Sequence, residues 1–128
     1  MPVVPITILP ENAVTIIRGT SKTLELVVTD AEGKAVDMTG ARVVMTVKAV
    51  ITDTNPLIYK SSDNPAQAAV TVPREGKAQI YLTPSDTHTL SAKQYVFDVW
   101  MVMQNGKRFA VVPPSTFEVK ASVTVLTL

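Results

Sequence analysis

Apolar side chains recur at every second position over most of this chain, the period of an extended strand, and only one short stretch reads as helix. The longest such run in the middle of the chain is Tyr95 to Met103. Tyr95, Phe97, Val99, Met101 and Met103 fall on one face of it, because successive side chains of a strand point to opposite sides. Val96, Asp98, Trp100 and Val102 form the other face, which is also mostly apolar. A strand with water on one side shows clean alternation. This run therefore predicts a central strand, or one whose outer face is covered.

The other elements follow in order. Met1 to Pro10 is apolar but interrupted by Pro2, Pro5 and Pro10, which supply no N–H to a ladder, so it reads as an edge strand or an extended arm. Strands are expected over Ala13–Arg18, Lys22–Thr29, Ala41–Ala49, Leu57–Lys60, Ala68–Val72 and Lys77–Leu82. In the clearest of these, Leu24, Leu26 and Val28 share one face, and Ala78, Ile80 and Leu82 share another. Thr83 can cap a helix, Pro84 suits its first position and Asp86 stands three residues after the cap, so Pro84 to Leu90 is predicted as one short helical turn. Gln104-Asn105-Gly106-Lys107 closes the Tyr95 strand, with Asn105-Gly106 as a two-residue hairpin turn. Arg108 to Val112 returns, Pro113-Pro114 breaks it, and Thr116 to Leu126 forms a final long strand with Phe117, Val119, Ala121, Val123 and Val125 on one face.

Seven or eight short strands with turn signals every 8–12 residues or so predict an antiparallel β-sandwich. The short helical turn, then Leu90, then Tyr95 two residues before Phe97 has the layout of a tyrosine corner, which makes the sandwich immunoglobulin-like. Phe97 then occupies the place that antibody domains give to a Cys. At 128 residues, with no repeat or linker, the chain reads as a single domain over 1–128, with possible extended arms at 1–12 and 121–128.

Composition narrows the chemistry. A net charge of +1 provides no field for nucleic acid or an anionic membrane surface, and neither is expected as a partner. No stretch approaches the roughly 20 apolar residues of a membrane helix. The N-terminal run has no basic start and is broken by prolines, unlike a signal peptide. There is no Cys, hence no disulfide framework and no thiolate metal site. The single His, His88, lies in the helical turn beside Asp86, Ser85 and Ser91, and neighbours on one turn do not converge on a common atom as a catalytic triad must. Asp53-Thr54-Asn55 and Asp63-Asn64 lack the spacing and closing Glu of a calcium loop and read as turns. No catalytic residue, metal site or cofactor is expected. With 46% hydrophobic and only 18% charged residues, an interaction or structural protein is what remains.

Several stretches resemble a known family. Arg18-Gly19-Thr20-Ser21-Lys22-Thr23-Leu24, followed by Thr29-Asp30-Ala31-Glu32-Gly33-Lys34-Ala35-Val36-Asp37-Met38-Thr39-Gly40-Ala41, is similar to the opening of small immunoglobulin-like proteins of tailed bacteriophages and prophages. These in turn are similar to the N-terminal domain of phage baseplate upper proteins. Pro56 to Ser61, Ile80 to Thr87, Tyr95 to Val99 and Phe117-Glu118-Val119 fit the same pattern in order, so the resemblance covers roughly residues 14 to 120. The chain departs from it in its apolar N-terminal arm and long C-terminal strand. The resemblance implies a non-enzymatic virion component in the neck, tail or baseplate, docking to other virion proteins or to copies of itself. A capsid decoration or cement protein is an alternative within that class.

Partner contacts are expected at the unusually apolar termini, Val3, Val4, Ile6, Ile8, Leu9, Val123, Val125 and Leu126, and at Trp100. A carbohydrate- or receptor-binding module is a competing reading. It requires exposed aromatics around a concave site, and aromatics make up only 5% of the chain. A secreted adhesin or pilus-type subunit, which also exchanges strands, is a third.

Overall fold

The computed structural model describes the main chain of Ile6–Thr7 and residues 13–127. Among the described residues, nine strands form two packed sheets: β1 (Ile6–Thr7), β2 (Val14–Ile17), β3 (Lys22–Thr29), β4 (Arg42–Lys48), β5 (Ile58–Ser61), β6 (Ala68–Val72), β7 (Lys77–Leu82), β8 (Gln94–Val102) and β9 (Arg108–Lys120). One sheet has the order β1-β3-β7-β6 and the other β2-β9-β8-β4-β5. This is the arrangement of a seven-strand immunoglobulin-like sandwich with one strand added at each edge of its second sheet, β2 beside β9 and β5 beside β4. The strand count exceeds the expected seven or eight because the N-terminal region supplies a strand to each sheet. The pairing is also not wholly antiparallel, since β2 runs parallel to β9, Val14 opposite Phe117 and Ile17 opposite Lys120.

The core follows the alternation in the sequence. Leu24, Leu26 and Val28 of β3 and Ala78, Ile80 and Leu82 of β7 face Val43, Met45 and Val47 of β4 and Tyr95, Phe97, Val99 and Met101 of β8, and all are buried. The Phe97 and Phe117 rings meet edge to face with centroids 6.0 Å apart. β8 is central, flanked by β4 and β9. The Tyr95 hydroxyl donates to the Ser91 carbonyl at 2.8 Å, the bond that defines a tyrosine corner.

Two expectations about β9 need correction. Pro113-Pro114 does not break the strand; it continues from Arg108 to Lys120. The ladder with β8 slips between Phe97 and Val99 and again between Val99 and Trp100, so β9 carries bulges where its prolines need no pairing N–H. One bulge also explains why consecutive Val111 and Val112 are both buried. The strand then stops at Lys120, short of Leu126, and Ala121, Val123 and Val125 lie exposed instead of lining an inward face.

The hairpin turn differs too. Gly106 N–H donates to Met103 C=O at 2.9 Å, and Met103 N–H to Lys107 C=O at 2.8 Å. The central turn residues are therefore Gln104 and Asn105, with Gly106 at φ +88° as the bulge residue of a three-residue connection. A longer connection, residues 30–41 between β3 and β4, is clasped to the opposite corner. Val28 N–H donates to Gly76 C=O at 2.8 Å, Val36 N–H to Val28 C=O at 3.0 Å, and Met38 N–H to Pro73 C=O at 2.8 Å. Gly76 follows a 3₁₀ turn at Pro73–Glu75, and any Cβ there would collide with the Val28 carbonyl oxygen.

Within that connection the Thr39 hydroxyl, at 2.6 Å, and the Thr39 N–H, at 2.9 Å, donate to the Asp37 carboxylate and hold its pKa below the usual carboxylate range. A lowered folded-state pKa adds stability that is complete above the ordinary value and fades as pH falls through the lowered one. In an NMR titration the Asp37 carboxyl should reach its midpoint at lower pH in the parent than in Thr39→Ala; equal midpoints would rule out the Thr39 hydroxyl as a cause. Replacing Phe97 with Ala should cost about 3–5 kcal/mol in a denaturant melt. A loss under about 1 kcal/mol would mean that the ring does not fill the space between the sheets.

Candidate functional site

The outward face of the five-stranded sheet carries the most varied chemistry of the described residues. Register sets its layout. Val44 of β4 stands opposite Trp100 of β8, Thr46 is opposite both Asp98 and Tyr59, and Val102 lies between Arg42 on β4 and Arg108 on β9. These side chains, with Lys48, Ile51, Val96 and Pro114, line a cleft of about 440 Å³, within the size range of small-ligand sites. Trp100 is 40% and Tyr59 48% exposed. The Trp100 indole N–H donates to the Asp98 carboxylate at 3.1 Å, which fixes the plane of the ring. Arg42 pairs with Asp63 at 2.7 Å on the surface. Arg108 and Lys48 form no ion pair among the described residues.

The sequence marked only Trp100 on this face. Tyr59, Arg42, Lys48 and Arg108 were not singled out, although the alternation of Ile58, Tyr59 and Lys60 places Tyr59 outward. What the sequence lacks is the pairing of β4 with β5 and β8, and only that pairing brings the residues to one surface.

The expected terminal contacts divide into three groups. Val3, Val4, Ile8 and Leu9 lie outside the described residues. Ile6 belongs to β1, opposite Thr29 of β3, so its main chain forms an edge strand of this domain rather than a free arm. Val123, Val125 and Leu126 follow the last residue of β9; Val123 is fully exposed, and Val125 and Leu126 are 75% and 72% exposed.

The stretch around His88 is occupied by structural bonds. Asp86 accepts from the Lys60 ammonium at 2.8 Å and from the Thr83 N–H at 2.7 Å, and His88 is exposed at the end of the helical turn α1 (Pro84–Thr87). α1 is shorter than the expected Pro84–Leu90, with a further turn closed by Leu90 N–H on Thr87 C=O. The buried Lys60 was not anticipated from the sequence, where it reads as the polar end of a short strand. Among the described residues, no group of three or more His, Cys, Asp and Glu side chains is placed to hold a metal ion. Nor, among the described residues, is any helix long and apolar enough to cross a membrane.

These features define an immunoglobulin-like β-sandwich. No protein-family model matches the sequence, and no curated protein matches it. Among solved structures, CopC from Methylosinus trichosporium OB3b aligns at a TM-score of 0.51 and 10% identity, over 95% of this chain and 99% of that one. The GspB Siglec domain aligns at 0.51 and 16% identity, over 93% of this chain but 58% of that one. Murine CRIg aligns at 0.41 with 16% identity over 92% of this chain and 98% of that one. At such identities the likeness is one of fold alone.

Removing the Lys60 side chain leaves the largely buried Asp86 carboxylate without its ammonium. Lys60→Ala should therefore destabilise by about 3 kcal/mol, and Lys60→Ala/Asp86→Ala by less than the sum of the two single changes. Additive losses in denaturant melts would show that the pair is not coupled.

Proposed function

We propose that this chain is a non-enzymatic structural component of a tailed-phage virion, in the neck, tail or baseplate, that docks to other virion proteins or to copies of itself. The phage assignment rests on the resemblance of residues 14 to 120. The docking role rests on one observation: the chain leaves the β9 ladder at Lys120 and continues with Val123, Val125 and Leu126 turned to solvent. Exposed apolar segments are costly in an isolated domain, and such a segment can become a strand by adding to a neighbour's sheet. Main-chain groups alone would hold such a segment in register, and the alternate Val123 and Val125 would fill pockets on the partner. The virion is the corresponding location. A capsid decoration protein would use the same segment in the same way.

The test is to replace Val123, Val125 and Leu126 together with Asp. Because all three are exposed, the variant should melt at the parent temperature. It should be absent from particles purified from cells producing the remaining virion proteins. Incorporation at the parent level would remove the segment from the docking role.

A further inference from the structure

We propose that the cleft on the outer face of the five-stranded sheet binds an acidic saccharide, its carboxylate held by Arg108 and its ring faces stacked on Trp100 and Tyr59. This inference does not depend on the virion reading.

Three observations carry it. The first is the placement of the aromatics. The chain has seven Phe, Trp and Tyr residues in all. Tyr95, Phe97 and Phe117 are in the core and Tyr81 and Phe109 are half-buried, while the two exposed ones stand on this one face. Trp100 and Tyr59 are two strands and two residues apart, roughly 12 Å by sheet geometry, a span that suits two or three linked sugar rings. The bond from Trp100 to Asp98 means that stacking on the indole costs little side-chain ordering.

The second is charge. With Arg42 paired to Asp63, Lys48 and Arg108 remain in the cleft against the single carboxylate of Asp98. A guanidinium matches a carboxylate with two parallel N–H bonds, and Arg108 is not engaged in an ion pair among the described residues.

The third is what this face does not offer. β4 and β8 are each flanked by a strand on both sides, and outside the bulges opposite Val99 the floor offers no ladder edge for a further strand. An extended acidic peptide laid here would leave its own backbone groups unpaired, whereas peptides bind at sheet edges. A sugar carries its polar groups on its rim and packs through its faces. Asp98 and Thr46, central in the cleft, suit hydroxyl groups.

Trp100 is the only Trp in the chain and sits in the cleft, so its fluorescence reports occupancy directly. The probes are trigalacturonate, neutral maltotriose, hexaglutamate and a thymidine hexanucleotide, each titrated into the intact protein. Trigalacturonate should give a saturable change that weakens with added salt. Arg108→Ala and Tyr59→Ala, both at exposed positions and expected to melt like the parent, should each raise its Kd by about tenfold or more. Any one of three results overturns the proposal: no saturation by trigalacturonate up to about 10 mM, maltotriose binding as tightly, or hexaglutamate or the oligonucleotide binding more tightly.

Discussion

One short turn of helix and the residues just after it close the end of this sandwich, and three separated parts of the chain depend on them. Asp86 takes the buried Lys60 ammonium of β5. The buried Thr87 hydroxyl oxygen accepts from Gly19 N–H at 2.8 Å, at the corner between β2 and β3. Leu90 C=O accepts from the Arg18 guanidinium at 3.4 Å, and Ser91 C=O from the Tyr95 hydroxyl at 2.8 Å. Two edges and a corner of the sandwich are thus tied to residues 86–91. Each polar group so buried has a partner, which is what makes the arrangement tolerable in a core that is otherwise Val, Leu, Ile, Met and Phe. The Lys93 ammonium lies 5.1 Å from the Tyr95 ring centre, adding a cation over the same ring.

How much of this was legible in the sequence depended on whether a feature is local. β3 and β7 were read with their observed bounds because their alternation is clean and their turns carry Gly or Pro. The helical turn declared itself through Thr83, Pro84 and Asp86, and the tyrosine corner through the spacing of Leu90, Tyr95 and Phe97. What failed in β9 and its hairpin depends on the partner strand. The bulges opposite Val99 allow Pro113-Pro114 inside β9, and nothing in the Pro-Pro pair itself announces a ladder that shifts to accommodate it. Gly106 promised a tight hairpin, but the turn shifted by one residue because Gly serves equally well as the left-handed bulge residue.

The mixed face of β8 had been read as a sign of a central or covered strand. β8 is central, and its outer side is a half-open cleft bordered by β4, β5 and β9. The low aromatic content argued against a concave aromatic site, yet content is an average. Tertiary structure put most of the rings into or against the core and left Trp100 and Tyr59 together outside. The cleft is therefore a property of register across four strands, and no window of consecutive residues contains it.

The parallel pairing of β2 with β9 has a mechanical meaning. The chain enters β2 at Val14 and leaves β9 at Lys120, and these residues lie at opposite ends of the same ladder. Tension drawn between Ala13 and Ala121 runs along both strands and in opposite senses, so it loads the ladder in shear. Main-chain bonds across the four residue pairs, together with Arg18 N–H on Lys120 C=O at 2.8 Å, share that load instead of opening one after another. A module pulled at once from Ala13 and from Ala121 would thus load this seam in shear instead of peeling it open.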